Sequence, residues 1–410
     1  MTPPHVVVLA TLAELGGAER SLVELLHGVR GALRASLVLP DDGPLAAAAA
    51  EAGARVHVLR WPRGLAALGE RARGRARVVS MLRAAPAVLA VRARLRTELA
   101  ALAPDVVVTN GIKAHVLGAL ACGRGGPALV WYGREGLEGR PWSRALLGLL
   151  GRRVRGAVAI SEYVAGELRP LLPAGAPIRV VYNIVDGERF RPGLAAPTDL
   201  GKVPGEVRFG VVGALTPLKG QDLFLRAAAR VVREVPHARF VLVGGTPYRT
   251  EAGLGFAEAL RREASALGLD GRVRFLGQRA DAARVIASLD VLVQPNRGPE
   301  GLGRAVLEAM ACGVAVVAVD RWGLSEIVRD GETGLATPHL DVDALATRMR
   351  RLGTDAALRA RLGRAGRRWV TTHCSRDRLA RAFVSAVDAA LAPAARTVRH
   401  PAQGMVQVGR

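Results

Sequence analysis

The sequence predicts an α/β fold built from two parallel-sheet domains that face each other across a cleft. Three observations favour it: a length of 410 residues, an apolar content of one half, and short apolar runs that alternate with amphipathic segments. A chain of this length exceeds one ordinary core, so two domains are expected. The apolar runs are continuous rather than alternating, which indicates strands buried on both faces, as in parallel sheets covered by helices.

In the first half, a glycine-containing loop after the first apolar run leads into a predicted helix at 19–33, and an Ala-rich helix follows Pro44. Strands are predicted where Val, Ile and Leu cluster, at 6–10, 37–39, 56–59, 106–109, 128–131, 157–160 and 179–182. Helical segments separate most of these strands. This order is that of a parallel sheet whose crossovers are helices.

The segment 183–206 interrupts the alternation with three prolines and four glycines, a composition typical of a linker. The alternation then resumes, with strands predicted at 207–212, 239–243, 273–276, 291–294 and 314–319 and a helix at 376–391. We therefore place a first domain at 1–186, the linker at 187–206, a second domain at 207–372, a C-terminal helix at 373–392 and a disordered tail at 393–410.

The net charge of +22 comes mostly from arginine, and it is unevenly distributed. Ten arginines and one acid lie between Arg60 and Arg96, while Arg140 to Arg155 holds five arginines, several leucines and no acid. A basic amphipathic segment can lie on an anionic membrane surface, or it can be a solvated helix face whose leucines pack on the core. Both interpretations remain open. Nucleic acid is not expected, because no binding motif accompanies the charge.

Three widely spaced cysteines give neither a disulfide framework nor metal-ligand spacing. The first apolar run is too short for a signal peptide, and no segment approaches the roughly 18 apolar residues of a spanning helix. We expect a cytoplasmic protein, peripheral at the inner face of the membrane if the basic segments contact lipid. Asp341 and Asp343 match a D-x-D metal motif, but they open a predicted helix, so N-capping is the preferred role.

The segment with the most chemical information directly follows the predicted strand at 291–294. Gly301 and Gly303 lie at a helix start, where free N–H groups and the helix dipole favour an anion. Glu300 in the loop and Glu308 in the helix are eight residues apart, so both carboxylates can reach one ligand and accept hydrogen bonds from its hydroxyls. In an open parallel sheet, ligands bind beyond the carboxyl ends of strands.

A second segment follows the predicted strand at 207–212, where a turn brings Lys219 to the start of a helix. A cation at a helix N-terminus suits a diphosphate. Gly16 and Gly17 form a similar strand-to-helix loop in the first half, and Trp131-Tyr132-Gly133-Arg134-Glu135 ends another strand there. Glycines in such loops either face a phosphate or acceptor, or simply form a tight turn.

These segments together resemble glycosyltransferase family four, whose members are retaining enzymes with the GT-B fold of two Rossmann-like domains. The resemblance rests on P-E-G-L-G-R-A-V-L-E-A-M-A-C-G with its E-x7-E spacing and on the following V-A-V-V-A-V-D-R-W-G-L-S-E-I-V-R-D-G-E-T-G. G-G-A-E-R at 16–20 and N-I-V-D at 183–186 add to it. The resemblance implies a hexosyltransferase that moves a sugar from a UDP- or GDP-sugar to a glycan or lipid-linked acceptor. It implies no cofactor and no metal, and a final helix that returns to the first domain.

The resemblance also implies roles for individual residues. Lys219 and the amides of Gly301 to Gly303 would neutralise the diphosphate, Glu308 would bind the ribose, and Glu300, assigned as catalytic, would hold the transferred sugar. Further donor-binding candidates are Gly17, Gly213, Gly244, Gln278, Arg279, Leu302 and Arg304, and the acceptor-side candidates are Gly16, Asn110 and Lys113.

Two positions depart from the family pattern. Ala214 stands where relatives carry a phosphate-binding Arg, so either Arg304 or Arg134 substitutes or donor binding is weaker. Arg134-Glu135 stands where many relatives carry His-Asp, and Arg134 is either a catalytic group that stabilises the leaving phosphate or the partner of a structural ion pair with Glu135. These departures keep two alternatives open: a non-catalytic sugar-nucleotide-binding protein and, from the charge, a polyanion-binding protein.

Overall fold

The computed structural model describes residues 2–62, 75–123, 125–201, 203–246 and 251–392, with side chains for all of these except 75–82 and 251–254. The first half contains a seven-stranded parallel sheet in the order β3-β2-β1-β4-β5-β6-β7. Its strands are β1 (His5–Leu9), β2 (Arg34–Leu39), β3 (Arg55–Val58), β4 (Val106–Asn110), β5 (Ala128–Gly133), β6 (Gly156–Ala159) and β7 (Ile178–Val180).

Helices connect these strands and cover both faces of the sheet, which is why the central strands contain almost no polar side chains. They are α1 (Gly17–Gly28), α2 (Pro44–Glu51), α3 (Arg75–Leu102), α4 (Ile112–Ala121), α5 (Pro141–Gly151) and α6 (Glu162–Leu168). Ser161 caps α6, because its side chain accepts a hydrogen bond from the Val164 N–H at 3.1 Å.

The second half contains a six-stranded parallel sheet in the order β10-β9-β8-β11-β12-β13. Its strands are β8 (Val207–Val212), β9 (Ala238–Val243), β10 (Val273–Gly277), β11 (Val291–Gln294), β12 (Ala315–Val319) and β13 (Leu335–Thr337). Its helices are α7 (Gln221–Val231), α8 (Glu251–Ala266), α9 (Ala282–Ala287), α10 (Arg304–Ala311), α11 (Leu324–Ile327), α12 (Val342–Thr354) and α13 (Ala356–His373). The predicted α/β fold with two Rossmann-like sheets is confirmed.

In each sheet the strand order reverses between two neighbouring strands, β1 and β4 in the first and β8 and β11 in the second. At such a reversal the loops after the two strands diverge to opposite faces and leave a crevice beyond their carboxyl ends, which is where open α/β sheets bind ligands. The second sheet therefore directs a ligand to the loops that follow Val212 and Gln294.

The last described helix, α14 (Arg376–Leu391), lies on the first sheet although it follows the second sheet in sequence. Its buried residues include Leu379, Phe383 and Val387, and the Phe383 ring lies 6.1 Å from that of Tyr132 in β5. Its observed bounds match the predicted 376–391. Across the described residues, no helix combines the length and apolarity needed to span a membrane.

One predicted helix needs correction, one strand was missed, and two predicted segments lie wholly or partly outside the described residues. The helix predicted at 19–33 ends at Gly28, because the chain turns through Gly31 at φ +88° before β2 begins. The short strand β13 was not predicted. The tail 393–410 and part of the basic segment after Arg60 fall outside the described residues. By contrast, the predicted cap is confirmed at Asp341, which accepts from the Ala344 N–H at 2.8 Å.

Candidate functional site

Lys219 and Glu300 meet at the crevice of the second sheet. Lys219 ends a single 3₁₀ turn after β8, and its ammonium forms an ion pair with Glu300 Oε2, from the loop after β11. The two loops touch at Gly220, whose φ is +71° and where a Cβ would lie 2.0 Å from the Pro295 carbonyl oxygen. Only glycine fits there, so the close packing of the two loops fixes the position of Lys219 beside Glu300.

Two amides that the sequence interpretation missed extend this pair. Asn296 donates from Nδ2 to Glu300 Oε2 at 3.1 Å, and Gln294 in turn donates to the Asn296 side chain. Within the described residues, Gln294 Oε1 is buried without a hydrogen-bond partner. Gln294 ends β11, and Asn296 lies two residues beyond it. This position at the carboxyl end of a parallel strand could have identified both amides from the sequence. The resulting array of amide, carboxylate and ammonium can bind hydroxyls and an anion side by side.

Gly301 brings this loop against the first half. A Cβ on Gly301 would lie 2.5 Å from the Arg134 carbonyl oxygen, and one on Gly303, whose φ is +91°, would lie 2.4 Å from the Leu324 side chain. Protein atoms therefore lie close to both glycines in this structure. Leu302 between them is buried. Arg134 and the donor-side loop are therefore direct neighbours across the two halves.

Arg134 has an incompletely paired guanidinium in this position. Its Nη2 donates to the Ala18 carbonyl at 3.0 Å, and its Cζ lies 4.7 Å from the centre of the Tyr132 ring. Its Nε and Nη1 are buried and have no hydrogen-bond partner among the described residues. Glu135 pairs with Arg140 at 2.5 Å instead, so the proposed Arg134–Glu135 ion pair is not formed. An anion in the crevice would satisfy these donors.

Arg304 and Glu308 form a second cluster on α10. Arg304 Nε lies 2.7 Å from Glu308 Oε1, and its Nη1 donates to Ser21 Oγ at 2.8 Å and to the Gly17 carbonyl at 3.4 Å. Burial raises the pKa of Glu308, while the charge of Arg304 opposes that shift. Glu308 is thus linked through Arg304 to the glycine loop of the first half, and not directly to Lys219.

The glycines at the carboxyl ends of β8, β9 and β10 lie side by side. Gly213 donates its N–H to the Val243 carbonyl at 2.9 Å, and Gly244 donates to the Gly277 carbonyl at 2.8 Å. Gly244 has φ +146°, and a Cβ there would lie 1.9 Å from the Gly213 carbonyl oxygen. The Gln278 side chain lies next to Gly245. This row of loops forms one wall of the crevice beside Lys219.

Arg279 is engaged away from that wall. Its guanidinium pairs with Asp281 at 2.7 Å and with Asp199 of the linker at 3.0 Å, and these carboxylates raise the pKa of Arg279. The structure therefore shows Arg279 joining the linker to the second half. Its assignment to the donor remains a prediction that these contacts do not favour.

The acceptor-side candidates lie at the carboxyl edge of the first sheet. Asn110 ends β4 opposite Tyr132, and its buried Oδ1 has no hydrogen-bond partner in the described part of the chain. Lys113 lies in the first turn of α4, and Gly16 precedes α1, where a Cβ would meet the Glu19 carboxylate at 2.7 Å. These residues follow the two strands at which the first sheet reverses its order, so they border the crevice of the first half.

His115 has a structural environment. It is buried, its Nδ1 lies 2.7 Å from Thr109 Oγ1, and its ring stacks on Trp131 with centres 4.9 Å apart. Burial lowers the pKa of His115 to about 3. The ring therefore stays neutral in the folded protein at any pH near neutrality.

A separate cavity of about 210 Å³ lies where the linker meets the last two helices. Its lining comes from the start of the linker, the end of α10 and the junction of α13 and α14, including Phe190, Ala311, Arg367 and Cys374. None of the predicted donor or acceptor residues lines it. Its one charged lining residue, Arg367, donates to the Ala311 carbonyl at 2.6 Å, whereas the predicted site residues lie at the crevice.

Two family models match the chain, and together they span most of it. Residues 15–189 match "Glycosyltransferase Family 4", and residues 206–355 match "Glycosyl transferases group 1". A GDP-mannose-dependent alpha-(1-6)-phosphatidylinositol monomannoside mannosyltransferase of Mycolicibacterium smegmatis is 33% identical over 268 residues, which are 62% of this chain and 68% of that protein. A D-inositol 3-phosphate glycosyltransferase of Mycobacterium ulcerans is 38% identical over 195 residues, 47% of this chain and 39% of that protein.

Solved structures share the whole fold at lower sequence identity. Anabaena HepE, solved in complex with UDP and glucose, is 23% identical with a TM-score of 0.76, over 94% of this chain and 99% of that one. Sucrose-phosphate synthase from Thermosynechococcus elongatus is 18% identical with a TM-score of 0.77, over 93% of this chain and 98% of that one. These likenesses show a common arrangement of the two sheets.

Proposed function

The chain belongs to glycosyltransferase family four, and we propose that it moves a hexose from a UDP- or GDP-sugar to a glycan or lipid-linked acceptor with retention of configuration. The observation that carries the proposal is the pairing of Lys219 with Glu300 at the reversal of the second sheet, in a loop whose Gly301 packs against the backbone of Arg134, a residue with an unsatisfied guanidinium. A diphosphate would receive positive charge from both halves, and the sugar would lie against the carboxylate and amides.

The charges present suit departure of a nucleoside diphosphate. In the proposed step the bond between sugar C1 and the β-phosphate oxygen breaks, and a bond from C1 to the acceptor oxygen forms on the same face. The acceptor proton passes to the leaving phosphate oxygen. Lys219 and Arg134 stabilise the charge that develops on that phosphate, which is the way preorganised cations lower such barriers. Glu300 with Asn296 orients the sugar through its hydroxyls, and Glu308 binds the ribose.

The names of relatives support the donor and acceptor classes. One relative is GDP-mannose-dependent and acts on a phosphatidylinositol mannoside, and others are D-inositol 3-phosphate glycosyltransferases. We propose a hydroxylated acceptor, free or linked to lipid, bound beside Asn110 and Lys113. For a lipid-linked acceptor, the protein would have to work at a membrane surface.

A binding screen tests the donor site. Purified protein is titrated with UDP- and GDP-sugars by calorimetry, in parallel with Lys219→Ala and Glu300→Gln. Loss of one charge-assisted contact to a phosphate or sugar should weaken donor binding on the order of 10- to 100-fold. Glu332→Gln is the matched control, because the Glu332 side chain is 69% exposed and pairs only loosely with Arg329. Donor binding that survives both site variants unchanged would disprove the site.

Ala214 favours one other candidate, a protein that binds a nucleotide sugar without transferring it. The two are separated by incubating the protein with the bound nucleotide sugar and a set of polyol and glycolipid acceptors. Release of nucleoside diphosphate with a glycoside whose anomeric configuration by NMR matches that of the donor supports retention. Inversion contradicts the proposed stereochemistry, and tight binding without turnover supports the non-catalytic alternative.

A further inference from the structure

Helix α5 exposes an apolar stripe. Trp142, Leu146 and Leu149 are spaced i, i+4, i+7, so they share one side of the helix, and they are 57%, 37% and 67% exposed. Nine large apolar side chains are exposed in the described part of the chain, and three of them lie on α5, which has eleven residues. This is a patch rather than the scatter usual on a protein surface.

The opposite side of α5 is already used by the fold. Leu147 and Leu150 are buried, and a Cβ on Gly151 would lie 2.0 Å from the Leu171 carbonyl oxygen. Helix α5 also packs against α4. The helix therefore has a conventional inward face, and the exposed stripe is additional to it, so core packing does not account for Trp142 or Leu149.

Unneutralised positive charge adjoins the stripe. Of the arginines in this segment, Arg140 pairs with Glu135 and Arg144 with Glu167. Arg152, Arg153 and Arg155 follow the end of the helix, are exposed, and have no carboxylate of the described residues within ion-pair distance. No acidic residue occurs from Gly139 to Ser161. We call this surface the α5 face: Trp142, Leu146 and Leu149 with Arg152, Arg153 and Arg155.

We propose that the α5 face docks the protein on an anionic phospholipid bilayer. An indole lies at the headgroup level, leucines reach the acyl boundary, and arginines bind phosphates, which is the composition of helices that lie in a membrane interface. A nucleic acid would match the arginines but not the apolar stripe between them. The positive charge and the apolar stripe together favour a lipid surface over a nucleic acid.

The N-terminal end of α5 is close to the crevice along the chain. The loop from Arg134 to Arg140 leads directly from the unsatisfied guanidinium at the crevice into α5, and Glu138 in that loop accepts a hydrogen bond from the Trp322 indole. Docking through α5 thus holds the acceptor side of the crevice near the bilayer. This inference rests on the proposed function for its purpose, because only a lipid-linked acceptor gives the docking a role, but the docking itself can be measured alone.

Flotation with vesicles tests the docking. Wild-type protein is mixed with vesicles of phosphatidylcholine alone or of phosphatidylcholine with phosphatidylglycerol, and binding to the anionic vesicles alone is expected. Replacing Arg152, Arg153 and Arg155 by Gln should lower the partition coefficient on the order of 100-fold, since each basic residue near an anionic surface contributes roughly fivefold. Trp142→Ser with Leu149→Gln should reduce the binding that remains at high salt.

Val203→Gln is the matched control, because Val203 is 64% exposed and belongs to the linker, shortly before β8 of the second sheet. Thermal unfolding followed by circular dichroism checks that every variant folds. Absence of wild-type binding to anionic vesicles, or equal binding by wild type and variants, overturns the proposal. So does a wild-type dimer in sedimentation velocity that Leu149→Gln dissociates, or salt-sensitive DNA binding without vesicle binding.

Donor titration of the same variants keeps the two proposals apart. The α5-face variants should bind nucleotide sugar as wild type does, because none of their positions contacts the crevice residues. Vesicle binding by a protein that binds no nucleotide sugar would refute the proposed function and leave the docking intact. Donor binding by a protein that does not bind vesicles would refute the docking and leave the proposed function intact.

Discussion

Trp322 of the second half donates its indole N–H to Glu138 of the first half at 2.5 Å. The backbone of Trp322 lies in the left-handed region, with φ +57°, next to Gly323, which donates its N–H to the Glu300 carbonyl at 3.1 Å. Trp322 and Gly323 together therefore join the donor-side loop to the loop that precedes α5. Its backbone conformation is costly for a residue with a Cβ, so the surrounding contacts must hold it there.

Two replacements of Trp322 separate the cost of its left-handed backbone from the stabilisation by its side-chain contacts. Trp322→Ala should lower the free energy of unfolding by about 3 kcal/mol, because the ring is 8% exposed and its hydrogen bond is lost. Trp322→Gly loses the same contacts but relieves the left-handed strain, so it should be about 1 kcal/mol more stable than the Ala variant. Urea unfolding of both variants measures this difference, and a Gly variant less stable than the Ala variant would contradict it.

Gly244→Ala should disturb the wall of the crevice beside Lys219. The new methyl group would lie 1.9 Å from the Gly213 carbonyl oxygen, so one of the two loops must move. We expect at least a 10-fold weaker affinity for the nucleotide sugar and a loss of stability of about 3 kcal/mol. Gly277→Ala is the control: its φ of +63° costs about 1 kcal/mol, but no atom lies within 4 Å of the added group. Calorimetry and urea unfolding of the pair should separate steric displacement from backbone strain.

Arg304→Leu should destabilise the protein more than the double variant Arg304→Leu/Glu308→Gln. The single change leaves a buried carboxylate without its 2.7 Å partner, which costs about 3 kcal/mol, whereas the double change removes the charge as well. Because burial raises the pKa of Glu308 above its ordinary 4.5, the folded state binds the proton more tightly than the unfolded state does. The penalty in Arg304→Leu should therefore grow as the pH rises above 4.5. A double variant no more stable than the single one would contradict this pairing.

His115 should make the protein sensitive to acid. Its pKa is about 3 in the folded state and 6.5 when unfolded, so below pH 6.5 only the unfolded chain takes up the proton. Stability contributed by the neutral ring is present above pH 6.5 and is lost on acidification, by about 2 kcal/mol between roughly pH 7.5 and 5. The His115→Gln variant has no imidazole to titrate, so its stability lacks this dependence on pH. The difference in unfolding free energy between wild type and variant should therefore shrink with that slope, and a constant difference would show that His115 is not kept neutral.

Strands were the most predictable elements because burial on both faces leaves an uninterrupted apolar run. Residues 207–212 and 291–294 were predicted with their observed limits for this reason. The strand β13 escaped prediction because three residues after a glycine carry too little pattern, and its place is set by pairing with Val317 to Val319. Helix α1 was predicted too long because a single glycine such as Gly31 does not by itself fix a helix end, and Gly28 packs against Arg376 of the distant α14.

The site was predictable where it followed a strand and not where it depended on the other half. Lys219 and Glu300 could be expected to meet, since β8 and β11 are neighbours at a reversal of strand order. The contact of Gly301 with Arg134 and the bond from Trp322 to Glu138 join residues that are far apart in sequence. Such contacts depend on how the two halves face each other, which no local pattern encodes.

Helix α14 has a consequence for how the protein is made. Its apolar face, with Leu379, Phe383 and Val387, covers the first sheet, but a ribosome synthesises it only after the entire second half. The nascent first half must therefore wait with an uncovered hydrophobic surface while the second half emerges and folds. The core of the first half is therefore completed only when α14 emerges and packs on its sheet.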